Sequence, residues 1–146
     1  MTEIKIAITE VKISEWFLRI ALSAGFLSAS ADRFGMWPKG VSAWGNWQNF
    51  VAYTKSLNSF VPDSLIPFLA YTATSFEIVL GILLLTNFKT NWVAKASSAL
   101  LLLFALSMTF SNSIKAPLDY SVFTASASAF VLSILVNPKR NKEYKF

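Results

Sequence analysis

Apolar residues are gathered along the chain into four long stretches that short polar segments separate. The stretches cover residues 14–34, 64–86, 92–114 and 119–137. Each has roughly the 20 residues that an α-helix needs to cross the hydrocarbon core of a bilayer. The pattern therefore predicts an all-α protein, a transmembrane up-and-down four-helix bundle that forms a single membrane domain over residues 1–146.

The first stretch is the weakest of the four. Its uncharged part is only residues 20–31, because charged residues lie on both sides of that part. The charged residues are Glu15, Arg19, Asp32 and Arg33. Because the two arginines can snorkel toward opposite interfaces, we expect this stretch to span the membrane. The alternative is a three-span protein whose first helix lies on the membrane surface. Short connections after the second and third stretches favour antiparallel neighbours.

The segment between the first two predicted helices, residues 35–63, is long and rich in aromatic side chains. So many aromatic residues argue against disorder, and a long ordered loop is usually functional. Residues 46–57 can form a short helix with one apolar side. We expect either an anchor on the outer membrane interface or a lid over a pocket in the bundle, with rings from Trp37, Trp44 and Trp47.

Composition strengthens the membrane assignment. Apolar residues make up 54% of the 146-residue chain and charged residues only 14%, whereas about 25% of an ordinary soluble domain is charged. A soluble protein of this size would expose large apolar patches to water. The sequence therefore disfavours a soluble domain, and the net charge of +5 follows membrane topology rather than a nucleic-acid patch.

The basic residues outside the spans indicate which way the bundle runs. Seven lie in the N-terminal segment, the second loop and the tail 138–146, and three lie on the opposite side. Because cytoplasmic loops carry an excess of lysine and arginine, we predict that both termini are cytoplasmic. The first group is Lys5, Lys12, Lys89, Lys139, Arg140, Lys142 and Lys145, and the second is Lys39, Lys55 and Lys115.

The chain contains no cysteine and no histidine. Disulfides, thiolate nucleophiles and cysteine-ligated clusters are therefore excluded, and the commonest metal ligand and general base is missing. We find no catalytic constellation in the sequence, expect neither a metal site nor an intrinsic cofactor, and favour a protein that is not an enzyme. A redox role would need a cofactor from a partner protein or a diffusible one such as a quinone.

Two ionisable residues lie at depths where a charge costs several kcal/mol. Glu77 lies near the middle of the second span, and Arg19 lies about five residues into the first. An extended arginine and a glutamate can bridge the predicted depth difference of roughly 8 Å. We hypothesise that Arg19 and Glu77 form an intramembrane pair that either fixes helix register or serves a ligand or proton site. Alternatively, Arg19 reaches lipid phosphates while Glu77 stays protonated.

Two further groups of residues stand out in the predicted topology. Stripes of small residues on the first two spans contain Gly25 and Gly81, which we expect to permit close helix packing. Four charged residues are predicted to meet at the outer face. They form either surface ion pairs of little energetic weight or the polar floor of a pocket that the three tryptophans roof. These four are Asp32, Arg33, Lys115 and Asp119.

The order and spacing of several short motifs resemble those of DoxX-like membrane proteins. One group of motifs lies in the first span, and a glutamate followed by a glycine four residues later lies in the second. The resemblance extends from about Trp16 to Leu135. The motifs are Leu18–Ala21, Gly25–Leu27 and Asp32–Gly35, then Glu77–Gly81, and finally Ala105–Met108 and Ile114–Phe123.

The resemblance implies a four-helix protein of the bacterial inner membrane. Relatives are linked to membrane oxidoreductases, including thiosulfate:quinone oxidoreductase subunits and maturation factors of the methylamine-utilisation type. It thus implies an accessory or assembly subunit of a membrane redox complex, with an oxidoreductase as partner and a quinone or lipid as the bound small molecule. Membrane lipids are also expected partners, and a second copy of the chain is expected if the four short helices must form a pore. The alternatives are a chaperone-like membrane scaffold and a small-molecule or proton-coupled permease that uses Arg19 and Glu77.

Overall fold

The computed structural model describes residues 2–137, with side chains from residue 9 onward. All regular secondary structure in these residues is helical, which confirms the predicted fold class. The predicted basic tail, 138–146, lies outside the described residues. The helices are α1 (Thr2–Arg33), α2 (Trp47–Leu57), α3 (Ile66–Leu84), α4 (Thr90–Ser111), α5 (Lys115–Asp119) and α6 (Val122–Leu135).

The first helix is continuous over 32 residues, so the polar N-terminal segment and the first apolar stretch form a single element. Gly35, just beyond its end, has a positive φ of 71°, a conformation that glycine adopts without steric penalty. The N–H of Met36 donates to the carbonyl of Ala31 at 3.0 Å, which is the pattern of a Schellman C-cap. The chain therefore leaves the helix axis directly after Arg33.

The four long helices form a bundle in which α1 and α4 each pack against both α3 and α6. Arg19 contacts Thr86 just beyond the end of α3, whereas Arg33 contacts Thr74 within α3, so α1 and α3 run antiparallel. The first helix is thus a member of the bundle rather than a separate surface helix. The buried core consists of Leu22, Phe26, Leu80, Leu84, Val93, Ala94, Ala129 and Leu132.

Serine residues hold α4 against α6. The hydroxyl of Ser98 donates to the carbonyl of Ser126, and the hydroxyl of Ser126 donates to the carbonyl of Ser98, both at 2.9 Å. Nearer the start of α4, the side-chain amide of Asn91 donates to the carbonyl of Ser133. Small residues of this kind let helix backbones approach closely inside a membrane, and their hydrogen bonds join the helices.

The outer surface of the bundle is apolar. Two segments have the length and composition to cross a membrane, Asp63–Leu84 and Thr90–Ser111. Only 33% and 28% of their most apolar windows are buried inside the protein, so most of these side chains face outward. Phe68 and Phe110, for example, are 67% and 83% exposed. Lipid chains match such a surface, whereas water hydrates it unfavourably. α6, with 14 residues, is shorter.

The bundle is uneven at the end where α3 begins, which is the predicted outer side. Arg33, the last residue of α1, bonds to Thr74 and Glu77 in the middle of α3. The first half of α3 therefore extends beyond the end of α1. At this end of the bundle α2 packs against α1, α3 and α4.

The apolar side of α2 packs on the bundle and is not presented to the membrane interface; the choice between an anchor and a lid for the rest of the loop stays a prediction. Phe50 and Thr54 are buried against the bundle, whereas Gln48, Ala52 and Lys55 are exposed. The physical reason is the early end of α1. It leaves apolar surfaces of α3 and α4 without a helical neighbour, and the apolar side of α2 covers them.

The two glycines that were predicted to permit close packing have opposite environments. At Gly81 a methyl group would lie 3.0 Å from Cγ of Leu27 and 3.3 Å from Cβ of Phe26, so α1 and α3 approach closely there. At Gly25 a methyl group would have no described atom within 4 Å. The packing prediction is therefore wrong for Gly25, because its face of α1 points away from the bundle.

This contrast gives a matched pair of substitutions. Gly81→Leu should lower the free energy of unfolding by about 1–3 kcal/mol, because the added side chain has no room beside α1. Gly25→Leu should leave stability unchanged or raise it, since a mid-helix glycine is about 1 kcal/mol less favourable than a good helix former. Thermal unfolding of both variants in one detergent measures the difference. Equal losses in the two variants would contradict the packing described above.

Candidate functional site

A buried ion pair joins α1 to α3 at the level where α1 ends. The guanidinium of Arg33 donates to the carboxylate of Glu77 from both terminal nitrogens, Nη2 to Oε1 at 3.0 Å and Nη1 to Oε2. Nη1 also donates to Oγ1 of Thr74 at 2.7 Å. Arg33 and Glu77 are 3% and 4% exposed. This two-point contact balances the two charges and fixes the orientation of both side chains.

Two aromatic rings from the loop and α2 cover this pair. The ring centroid of Phe50 lies 3.8 Å from Cζ of Arg33, and that of Trp44 lies 5.2 Å from it. The two rings meet edge to face with their centroids 5.4 Å apart. We call Trp44 and Phe50 the aromatic roof. Its rings stabilise the guanidinium by cation–π attraction and exclude water from it.

The other two predicted tryptophans contact different parts of the protein. Trp47 stacks on Phe34 with ring centroids 5.9 Å apart, and its ring lies 4.4 Å from that of Tyr71. It therefore attaches α2 to the end of α1 and to α3. The indole N–H of Trp37 donates to the carbonyl of Ser28 at 3.2 Å, so Trp37 lies against the flank of α1.

Asp32 holds the loop that carries Trp44. Its carboxylate accepts hydrogen bonds from the backbone N–H groups of Ala43 and Trp44, both at 2.9 Å, and from the hydroxyl of Ser42. Asp32 is itself buried. It fixes the backbone of Trp44 and, through it, the ring above Arg33. Asp32 is therefore a positioning residue for the aromatic roof.

Arg19 occupies a second buried site, at the turn between α3 and α4. Its Nη2 donates to the carbonyl of Thr86 and to Oγ1 of Thr90, both at 2.6 Å. Its Nη1 donates to Oδ1 of Asn87 at 3.2 Å, and a carboxylate oxygen of Glu15 lies 3.4 Å away. Arg19 is 1% exposed. The guanidinium thus satisfies carbonyl and hydroxyl groups where α3 ends and α4 begins.

The predicted pairing of Arg19 with Glu77 is therefore wrong, and the partner of Glu77 is Arg33. Side-chain direction is the physical reason, because a long helical side chain leans toward the N-terminus of its own helix. In α1 this direction leads Arg19 away from Glu77 and leads Arg33 toward it. Glu77, on the antiparallel α3, leans toward Arg33. The same rule, applied to the sequence, argues against Arg19 as the partner, but placing Arg33 beside Glu77 also requires the early end of α1.

The predicted outer-face cluster separates into three parts. Lys115 and Asp119 form an ion pair with each other, one turn apart on α5, with 77% and 56% of their side chains exposed. An exposed pair of this kind contributes little to stability. Arg33 and Asp32 are buried in the contacts described above. The cluster does not form because α1 ends beside the middle of α3, whereas α5 packs against α4 and α6.

Two polar atoms near the ion pair have no hydrogen-bond partner among the described residues, Nε of Arg33 and Oγ of Ser30. Ser30 lies about one turn before Arg33 and is 3% exposed. Because Arg33 leans back over that turn, we expect the two atoms to face a common space. Buried polar atoms are nearly always satisfied. Both atoms are buried, so an acceptor could reach them only by entering beneath the aromatic roof.

In a comparison with known protein families, the chain matches the model of one family. The chain matches the family model described as methylamine utilisation protein MauE over residues 11–119. The matched region runs from α1 to the end of α5, so it contains the Arg19 site, the Arg33–Glu77 pair and the aromatic roof. No match is found among curated proteins or among solved structures.

Proposed function

The chain belongs to the MauE family of membrane proteins, and on that premise we propose that it is a non-catalytic accessory or assembly subunit of a membrane redox system. The proposal rests on the observation that the buried charged residues of the bundle bind other parts of the same chain. Arg19 fixes the turn between α3 and α4, and Arg33 and Glu77 fix α1 to α3. The strongest polar groups of the bundle thus hold the fold together, as expected of a protein that supports a partner.

The redox part of the proposal comes from the family, whose name refers to methylamine utilisation. The chain has no cysteine and no histidine, so thiol exchange and histidine-ligated metal or haem chemistry would belong to the partner. We propose that this partner is an oxidoreductase held at or in the same membrane. We further propose that the chain is related to the wider DoxX-like group, and that copies of it associate with one another.

We also propose a location and an orientation, the bacterial inner membrane with both termini in the cytoplasm. The orientation rests on the excess of basic residues counted in the sequence, seven against three. Among the residues whose side chains are described, the lysines divide evenly, with Lys12, Lys89 and Lys95 toward the end where α4 begins and Lys39, Lys55 and Lys115 toward the opposite end. Nζ of Lys95 lies 4.9 Å from the ring centroid of Trp92. This lysine therefore extends toward the start of α4, as a side chain does when it snorkels to an interface.

A quinone or a lipid is the small molecule that we propose for the complex. The free donors Nε of Arg33 and Oγ of Ser30 match the acceptor oxygen of a quinone carbonyl or a lipid ester. Glu77 balances the charge of Arg33, and the buried carboxylate of the adjacent Asp32 adds a negative charge, so the site favours a neutral ligand over an anion. A permease that uses Arg19 and Glu77 together lacks this support, since the two side chains lie apart.

Affinity purification in mild detergent tests the proposed function, with mass spectrometry of the co-purified proteins and of the extracted lipids and quinones. We expect a stoichiometric oxidoreductase, retained by the wild type and by Lys115→Ala/Asp119→Ala, whose ion pair is exposed and shares no contact with the buried ion pair. The proposal fails if repeated purifications from native membranes yield the protein alone. A complex without enriched quinone or lipid would remove only the small-molecule part.

A further inference from the structure

The segment that follows α1, residues 36–41, is exposed over its whole length, and the Trp37 side chain contacts the flank of α1. We infer that this segment inserts into the outer leaflet of the membrane and is the interfacial anchor of the long loop. The segment begins where α1 ends, beside the middle of α3. It therefore starts at a level that the first half of a membrane-spanning helix also occupies.

Trp37 fixes the segment against α1. Its indole N–H donates to the carbonyl of Ser28 at 3.2 Å, and Ser28 lies more than one turn before Arg33. The indole ring of Trp37 therefore lies back along the flank of α1. Ala24 and Gly25, on the neighbouring flank of α1, are exposed small residues. The segment thus continues the lipid-facing surface of the bundle.

The side chains of the segment are those of an interfacial anchor. Met36 and Val41 are 74% and 71% exposed, and the ring of Trp37 is exposed while its N–H is satisfied. Lys39 lies between them in sequence, and its stem can extend along apolar surface to a lipid phosphate. The N–H of Val41 donates to the carbonyl of Pro38 at 3.0 Å. This turn satisfies backbone groups that would be costly to leave unpaired near hydrocarbon.

A lipid surface fits this segment better than a water-soluble partner does. The exposed side of α2 contains Gln48 and Lys55 and is polar, so a partner in the aqueous phase would meet α2. The apolar segment lies to the side of α1, where tryptophan and lysine together favour the headgroup region. The anchor also leads directly into Ser42 and Trp44, which Asp32 holds. Membrane insertion would therefore tether the aromatic roof.

Site-directed spin labelling tests this inference, and the absence of cysteine from the chain allows a single label at a chosen position. Val41→Cys and Met36→Cys place it on the segment, and Ala52→Cys places it on the exposed side of α2 as the control. The full-length protein is reconstituted into vesicles of phosphatidylethanolamine and phosphatidylglycerol. Electron paramagnetic resonance then compares collisions with oxygen, which partitions into lipid, and with a water-soluble nickel chelate.

We expect the labels at positions 41 and 36 to collide several-fold more with oxygen than with nickel, and the label at position 52 to show the reverse. Nickel access at 41 and 36 equal to that at 52 would overturn the inference, since the segment would lie in water. Protection from both reagents would also overturn it, because protein would then cover the segment. Two labelled positions keep the test decisive if one variant does not fold. The result is independent of any redox partner.

Discussion

Glu77→Leu is expected to lower the free energy of unfolding by about 3–5 kcal/mol, because it leaves the guanidinium of Arg33 buried without its counter-charge. Arg33 is 3% exposed, and the aromatic roof covers it. Water therefore cannot replace the lost carboxylate without opening the loop. The loss can be measured by titrating the purified protein with SDS and following tryptophan fluorescence.

A double substitution separates the ion pair from a general effect on packing. Arg33→Leu/Glu77→Leu should recover most of the loss, since replacing both members of a buried pair by apolar residues is often neutral or stabilising. Arg19→Leu/Glu77→Leu is the matched control. Its two losses should add, because Arg19 and Glu77 share no partner and lie several helical turns apart. Coupling of Glu77 with Arg19, or a Glu77→Leu variant as stable as the wild type, would contradict the structure.

The four long helices could be predicted from the sequence because a bilayer makes strong demands on composition. A chain that crosses the hydrocarbon core must pair its backbone N–H and C=O groups within the protein and expose apolar side chains to lipid. The spans therefore appear in the sequence as apolar stretches. The ends are less certain in such a pattern. The stretch 92–114 extends beyond α4, which ends at Ser111, and the stretch 119–137 extends beyond both ends of α6. Hydrophobicity marks the level of the membrane, whereas caps and turns decide where a helix stops.

The candidate site was less predictable, because it depends on the direction of side chains and on where α1 ends. The spacing of residues along the helices predicts a difference in depth between Arg19 and Glu77 that long side chains can bridge. It does not show in which direction along its helix each side chain extends. The end of α1 had a local signal, since Gly35 directly follows the charged residues Asp32 and Arg33. A glycine in that place favours a helix stop.

The role of Asp32 could not be read from the sequence, because it depends on a loop that folds back over α1. Alone, an aspartate beside an arginine at the end of a span resembles a surface pair. In the folded chain it binds three groups of residues 42–44. Asp32, the residue before Arg33 in the sequence, therefore positions the Trp44 ring that covers Arg33. This arrangement couples the ion pair to the loop, so a partner or lipid that moves the loop would act on the pair.

Arg19→Met is expected to loosen the turn between α3 and α4 and to lower the free energy of unfolding by about 2–3 kcal/mol. Hydrogen bonds to a charged group contribute about 1.5–3 kcal/mol, and Arg19 donates to Thr86, Asn87 and Thr90. Methionine keeps much of the apolar stem but has no donor. Glu15→Gln is the matched control, because those three hydrogen bonds remain and Glu15 is partly exposed. It should change stability little.

Limited proteolysis gives this prediction a local readout. Lys89 is exposed and lies within the turn, where its φ is 40°. A protease that cleaves after lysine should therefore cut at Lys89 several-fold faster in Arg19→Met than in the wild type. Cleavage after Lys55, on α2 at the other end of the bundle, should keep its rate. Acceleration at both lysines would indicate global unfolding, and unchanged cleavage at Lys89 would mean that Arg19 does not hold the turn.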